Sequence, residues 1–182
     1  MKSRASNGFS LVEVVIALGL FAFVLVVMLA LLPTGIKSNK ASIEDTTAAG
    51  ILTMLEADLR NTHPSLNGGK SQIFGLPLPY VASSGTYTIN TGLAVNTLSS
   101  TYTTGVGNDG SPVAVTTLPP PHYQATVIYT RVPAIATPGS LAPVEARLIV
   151  NWPCLNTSTV SDLTSPGKTA GFLDVYVAFP AP

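Results

Sequence analysis

The sequence predicts an α+β fold: a long N-terminal helix, part membrane-spanning and part amphipathic, packed on an antiparallel β-sheet head. Three observations carry this expectation. Val14 to Leu32 is an unbroken apolar run. Ile43, Ala48, Ile51, Leu52, Leu55 and Leu59 then recur at helical spacing on an otherwise polar segment. From Ser65 onward, short alternating segments are punctuated by Gly and Pro. The 182 residues suit one domain of ordinary size plus an appendage. Charged residues are 10% of the chain, against about 25% in a typical soluble domain.

Val14 to Leu32 contains fourteen Val, Ile, Leu or Phe residues, each favouring insertion by roughly 0.3–0.6 kcal/mol near a bilayer centre. As a helix the run is about 28 Å long, close to the roughly 30 Å hydrocarbon core, with Phe9 to Val12 extending it into the interface. Lys2 and Arg4 precede it like the basic region of a secretory signal. However, the apolar stretch is longer than a signal core, and Pro33-Thr34-Gly35-Ile36 is not a small-residue cleavage site. Glu13 is out of place in a plain anchor, because burying its carboxylate costs up to about 3 kcal/mol.

Lys2, Arg4, Gly8-Phe9-Ser10-Leu11-Val12-Glu13 and the long apolar helix together resemble the class III leader of type IV prepilins and type II secretion pseudopilins. The resemblance implies that prepilin peptidase cuts after Gly8 on the cytoplasmic side and methylates Phe9. It also implies a leader of 1–8, a transmembrane and filament-core helix of 9–32, and an amphipathic continuation of 33–62. A β-rich head of 63–182 would complete the chain. Cleavage would place an ammonium at Phe9 one helical turn from Glu13. The family pairs that carboxylate with the N-terminal amine of a neighbouring subunit, which makes Phe9 and Glu13 assembly residues. Lys2 and Arg4 on one side of the span face Lys37 and Lys40 on the other, so charge does not set the orientation. The resemblance places the leader inside the inner membrane and the head outside the cytoplasm, later in a periplasmic or cell-surface filament of pilin or pseudopilin subunits.

Pro33 and Gly35 are expected to kink or briefly break the helix, and Ser42 and Asp45 are spaced as a capping pair for its resumption. Asn61-Thr62-His63-Pro64 should end it. Strands are expected over Thr86–Asn90, Val113–Leu118, Tyr123–Val132, Val144–Trp152 and Phe172–Phe179. Thr88 to Ser111 reads as a long loop with at most a hairpin. Val144 to Pro153 resembles a strand of minor pilins of the type IV modification-protein group.

No catalytic, cofactor or metal site is expected. His63 and His122 are each next to proline, without a nucleophile elbow or triad spacing. Asn108-Asp109-Gly110 offers one acid and reads as a tight turn rather than a calcium loop. Cys154 is the only cysteine, so no internal disulfide forms, and it is expected to be a small buried residue. Trp152, Tyr123, Tyr129 and Tyr176 are expected on core-facing strand positions. Nine basic and nine acidic residues cancel without a basic cluster, which excludes the electrostatic footprint of a nucleic-acid binder. Only eight charged side chains lie beyond Pro64, which suits a head packed among neighbours. These features support a structural filament subunit; the alternative is a single-pass anchored binding protein that does not polymerise.

Overall fold

The computed structural model describes residues 10–63, 67–81, 87–89, 93–94, 100–131, 143–155 and 159–179. The chain divides into two compact units, 1–44 and 45–182. Helix α1, Leu11–Asn61, contributes to both. Its start is set at Ser10, whose carbonyl accepts from the Glu13 and Val14 N–H groups at 3.0 and 3.2 Å. It ends at Asn61, before His63-Pro64, where the pre-proline residue disfavours helix.

In the first unit, every large apolar side chain from Leu11 to Ile36 is exposed, by 42–81%. Among the described residues, α1 is the one helix long and apolar enough to cross a membrane. The expected break at Pro33 does not occur, since α1 continues through it. Proline removes a single intrahelical bond at a cost of about 3 kcal/mol, whereas a break forfeits several bonds and requires a second nucleation. The expected capping role of Ser42 and Asp45 fails for the same reason: no helix end exists there to cap.

In the second unit, Ala48, Ile51, Leu55 and Leu59 are buried and Leu52 packs against them. Ile43, expected in the same stripe, is instead 58% exposed. Their partner is a five-stranded antiparallel sheet of order β5-β4-β6-β7-β8. Its strands are β4 Ser100–Val106, β5 Pro112–Val113, β6 Tyr123–Arg131, β7 Val144–Trp152 and β8 Gly171–Phe179. A separate small sheet comprises β1 Pro79–Val81, β2 Tyr87–Ile89 and β3 Leu93–Ala94.

The three strands with the clearest alternation form as expected. Tyr123, Ala125, Val127 and Tyr129 of β6 and Val144, Ala146, Leu148, Val150 and Trp152 of β7 enter the main core beside the helix stripe. Leu173, Val175, Val177 and Phe179 of β8 complete that face. The opposite face of β6 and β7 is also covered. Ile128 and Ile149 form a second cluster with Leu163 of the short helix α2, Val160–Leu163. Gly171 is required where β8 passes Trp152, because a Cβ there would lie 2.2 Å from the indole ring.

Other expectations are corrected. Ser100–Val106, taken as loop, is a seven-residue strand paired along its length with β6 from Ser100↔Tyr129 to Val106↔Tyr123. Its Ser-Thr-Tyr-Thr-Thr-Gly-Val sequence lacks apolar alternation but is rich in β-branched and aromatic residues that favour pleated backbone. Conversely, Val113–Leu118 is strand only at Pro112–Val113, and the Thr117 N–H closes a turn onto the Ala114 carbonyl. Tyr123, Tyr129 and Trp152 are core residues, but Tyr176 is 68% exposed. It stands opposite Arg147 in the ladder, on the outward face of the edge strand, with the guanidinium 5.5 Å from its ring centroid.

A buried carboxylate ties the end of α1 to the turn at Gln72 to Phe74. Asp58 is 4% exposed. Its Oδ1 accepts from the Gln72 and Ile73 N–H groups, both at 3.0 Å, and from Thr62 Oγ1 at 3.2 Å. Its Oδ2 accepts from the Phe74 N–H at 2.9 Å. This turn leads into Phe74, Leu76 and Leu78, all core residues. Removing the carboxylate takes the acceptor from three backbone donors; the Gln72 N–H keeps its bond to Thr62 Oγ1 at 3.3 Å, but the buried Phe74 N–H is stranded. We therefore expect Asp58→Ala to lower unfolding stability by about 3 kcal/mol or more, measured by urea denaturation of the full chain in detergent. Burial also raises the Tyr129 hydroxyl above its usual range, and the hydroxyl donates to the Pro77 carbonyl at 2.7 Å. Its contribution is thus complete below about pH 10, the unfolded value, and declines above it. An alkaline stability series should show that decline, and Tyr129→Phe should remove it.

Candidate functional site

The feature of the first unit that packing does not explain is Glu13. Helix α1 starts directly after Ser10, so Glu13 lies in its first turn. The Ser10 to Glu13 spacing matches an N-terminal capping signature, a signal in the sequence for where this helix begins. Glu13 is exposed, and its carboxylate makes no hydrogen bond or ion pair with the described residues. With Val14, Ala17 and Leu18 it lines an open hollow on one helix face. No other acid occurs between Glu13 and Glu44.

The helix N-terminus favours this anion by about 0.3–1 kcal/mol. Burial in an apolar layer costs up to about 3 kcal/mol, so the dipole alone does not offset it. Lys2, Arg4, Gly8 and Phe9 lie outside the described residues.

Residues 3–29 match the family of the prokaryotic N-terminal methylation motif, a span that includes Arg4, Gly8, Phe9 and Glu13. The chain carries the class III prepilin leader of type IV pilins and pseudopilins. No curated protein and no solved structure matches the chain. The prepilin leader, the long apolar helix and the antiparallel sheet after it give a pilin-like α+β layout.

His63 is exposed, and His122 meets Tyr123 edge-on at 4.7 Å. Among the described residues no group of three or more metal-ligating side chains occurs. Asp109 sits in a tight turn, where its Oδ1 accepts from the Ser111 N–H at 3.0 Å and the Ser111 hydroxyl at 2.6 Å. These bonds, the hydroxyl's foremost, hold its carboxyl below the usual range. Gly110 supplies the positive φ of 81° that the turn needs.

Cys154 is half-buried rather than enclosed, with its Sγ 3.5 Å from Gln124 Oε1. The strand end leaves it at the margin of the sheet, beside a cleft also lined by His122, Asn108 and Pro121. Arg147 forks onto Asp174 with bonds of 2.6–3.0 Å, and this pairing raises its already high range further.

Because the Glu13 carboxylate makes no hydrogen bond or ion pair with the described residues, Glu13→Gln should leave the fold intact. Unfolding stability should stay within about 0.5 kcal/mol of the original, with unchanged far-ultraviolet circular dichroism.

Proposed function

We propose that this protein is a structural subunit of a type IV pilus or type II secretion-like pseudopilus. In this reading prepilin peptidase cuts after Gly8 and methylates the new amine of Phe9. Residues 9–32 anchor the precursor in the inner membrane and later form the filament core. Residues 33–62 continue as helix into a head of 63–182 outside the cytoplasm. The observation that carries the reading is Glu13, a carboxylate with no partner among the described residues, on an exposed apolar helix within the leader motif.

Cleavage creates a cation where none existed. The Phe9 ammonium is four residues from Glu13 in its own chain, and the same group on an adjacent subunit can reach the carboxylate across a helix bundle. In an apolar surround, an unpaired partner costs roughly 3–5 kcal/mol. The pair therefore penalises every register that leaves Glu13 alone. Stacking subunits head to tail through such heterologous contacts generates a filament. Other pilin-type subunits are the partners, and the chain itself supplies no reaction.

Intact-mass measurement of protein from its native host tests the processing step. The expected product begins at Phe9 and is one methyl group heavier than the unmodified chain; an intact Met1 or a cut near residue 33 overturns the reading. Assembly is tested by shearing cells and quantifying the subunit in the filament fraction. Glu13→Gln should reduce it by about a hundredfold, the equivalent of roughly 3 kcal/mol. A processed chain that stays in the membrane, with no sheared filaments, would instead identify an anchored binding protein.

A further inference from the structure

We propose that Lys37 and Lys40 form a binding site for anionic phospholipid headgroups at the outer end of the apolar helix. The inference rests on the reading that 14–32 spans a membrane. The lysines are three apart on α1, so they share one helix face. Both are exposed, the Lys40 side chain by 73%. Lys37 has no ion pair with the described residues. Lys40 reaches Glu44 only at 3.7 Å, an exposed helical pair worth about 0.3–0.5 kcal/mol. The nearest acids, Glu44 and Asp45, lie four and five residues beyond Lys40, so the two lysines are the charged side chains closest to the outer end of the apolar run.

Depth selects the ligand. Helix rise places the Lys37 and Lys40 backbones about 7 and 12 Å beyond Leu32, while the headgroup layer extends roughly 5–7 Å past the hydrocarbon. Side chains on a helix lean toward its N-terminus. For this helix that direction is toward the membrane, so both lysine stems lean back to the phosphate level and keep their ammonium groups wet. Cations on the translocated side also run against the usual orientation bias, so topology gives no reason for them. In the proposed mature chain, removal of Lys2 and Arg4 leaves them as the basic side chains nearest the span. They would hold the waiting subunit to the outer leaflet, and assembly must release that hold.

The test reconstitutes the full chain in phosphatidylcholine vesicles with spin-labelled phosphatidylglycerol or phosphatidylcholine and measures the motionally restricted lipid at the protein boundary. A K2Q/R4Q background removes the leader's own cations. In it, phosphatidylglycerol should be preferred by about fivefold at low salt, less as salt rises. Adding K37Q/K40Q should bring the ratio to about one, and K37R/K40R should retain the preference. Restricted lipid with no headgroup preference, or a preference that survives K37Q/K40Q, overturns this proposal and leaves the membrane reading standing. No restricted lipid at all overturns both.

Discussion

The head is organised by one seam, where the stripe Ala48, Ile51, Leu55 and Leu59 meets the inner faces of β6, β7 and β8. Neither surface is stable alone in water: the stripe exposes apolar side chains, and a one-sided sheet needs its apolar face covered. Asp58 fixes the path of the chain beyond that seam. It lies at the buried end of the stripe and turns the chain at Gln72 to Phe74 by accepting their N–H groups. Phe74, Leu76 and Leu78 then pack into the same core.

Asp58 and Glu13 are two carboxylates on one helix under opposite conditions. Asp58 has left water and found four donors within its own chain. Glu13 remains exposed on an apolar surface and has none among the described residues. The first is complete within the monomer and acts as a fastening. The second has no hydrogen-bond or ion-pair partner among the described residues, which is the condition that the proposed role of registering one subunit against another requires. The difference arises from position, since Asp58 is beside a turn rich in backbone donors while the hollow beside Glu13 is lined by Val14, Ala17 and Leu18.

The outward surface of the head is sparing in charge, and several of the charged groups it has are committed to each other. Arg147 is held by Asp174 and capped by Tyr176, Arg131 pairs with Glu145, and Lys168 pairs with Asp162. The two more exposed pairs, Arg131–Glu145 and Lys168–Asp162, contribute little stability, about 0–1 kcal/mol each. Their effect is to leave few unpaired charges on the described surface of the head.

Local signals alone determined the leader motif, the apolar run, the helix stripe and, to within a residue, the strands observed at 123–131, 144–152 and 171–179. Each depends on periodicity or short-range chemistry carried by adjacent residues, and Glu13 was legible because a lone acid beside nineteen apolar residues conflicts with its surroundings. Where the signal was weak or shared, the tertiary structure decided. Ser100–Val106 is a strand because β6 offers it a ladder, which no apolar alternation in its own residues announced. Tyr176 is exposed because β8 lies at the sheet edge, a fact of strand order rather than of sequence. Asp58 gave no sign of being buried, since its backbone donors lie fourteen to sixteen residues away. Pro33 is accommodated because the cooperativity of a long helix outweighs one lost bond. Sequence specifies what each segment prefers, and only packing settles which preference prevails, because burial and backbone pairing are properties of neighbours distant along the chain.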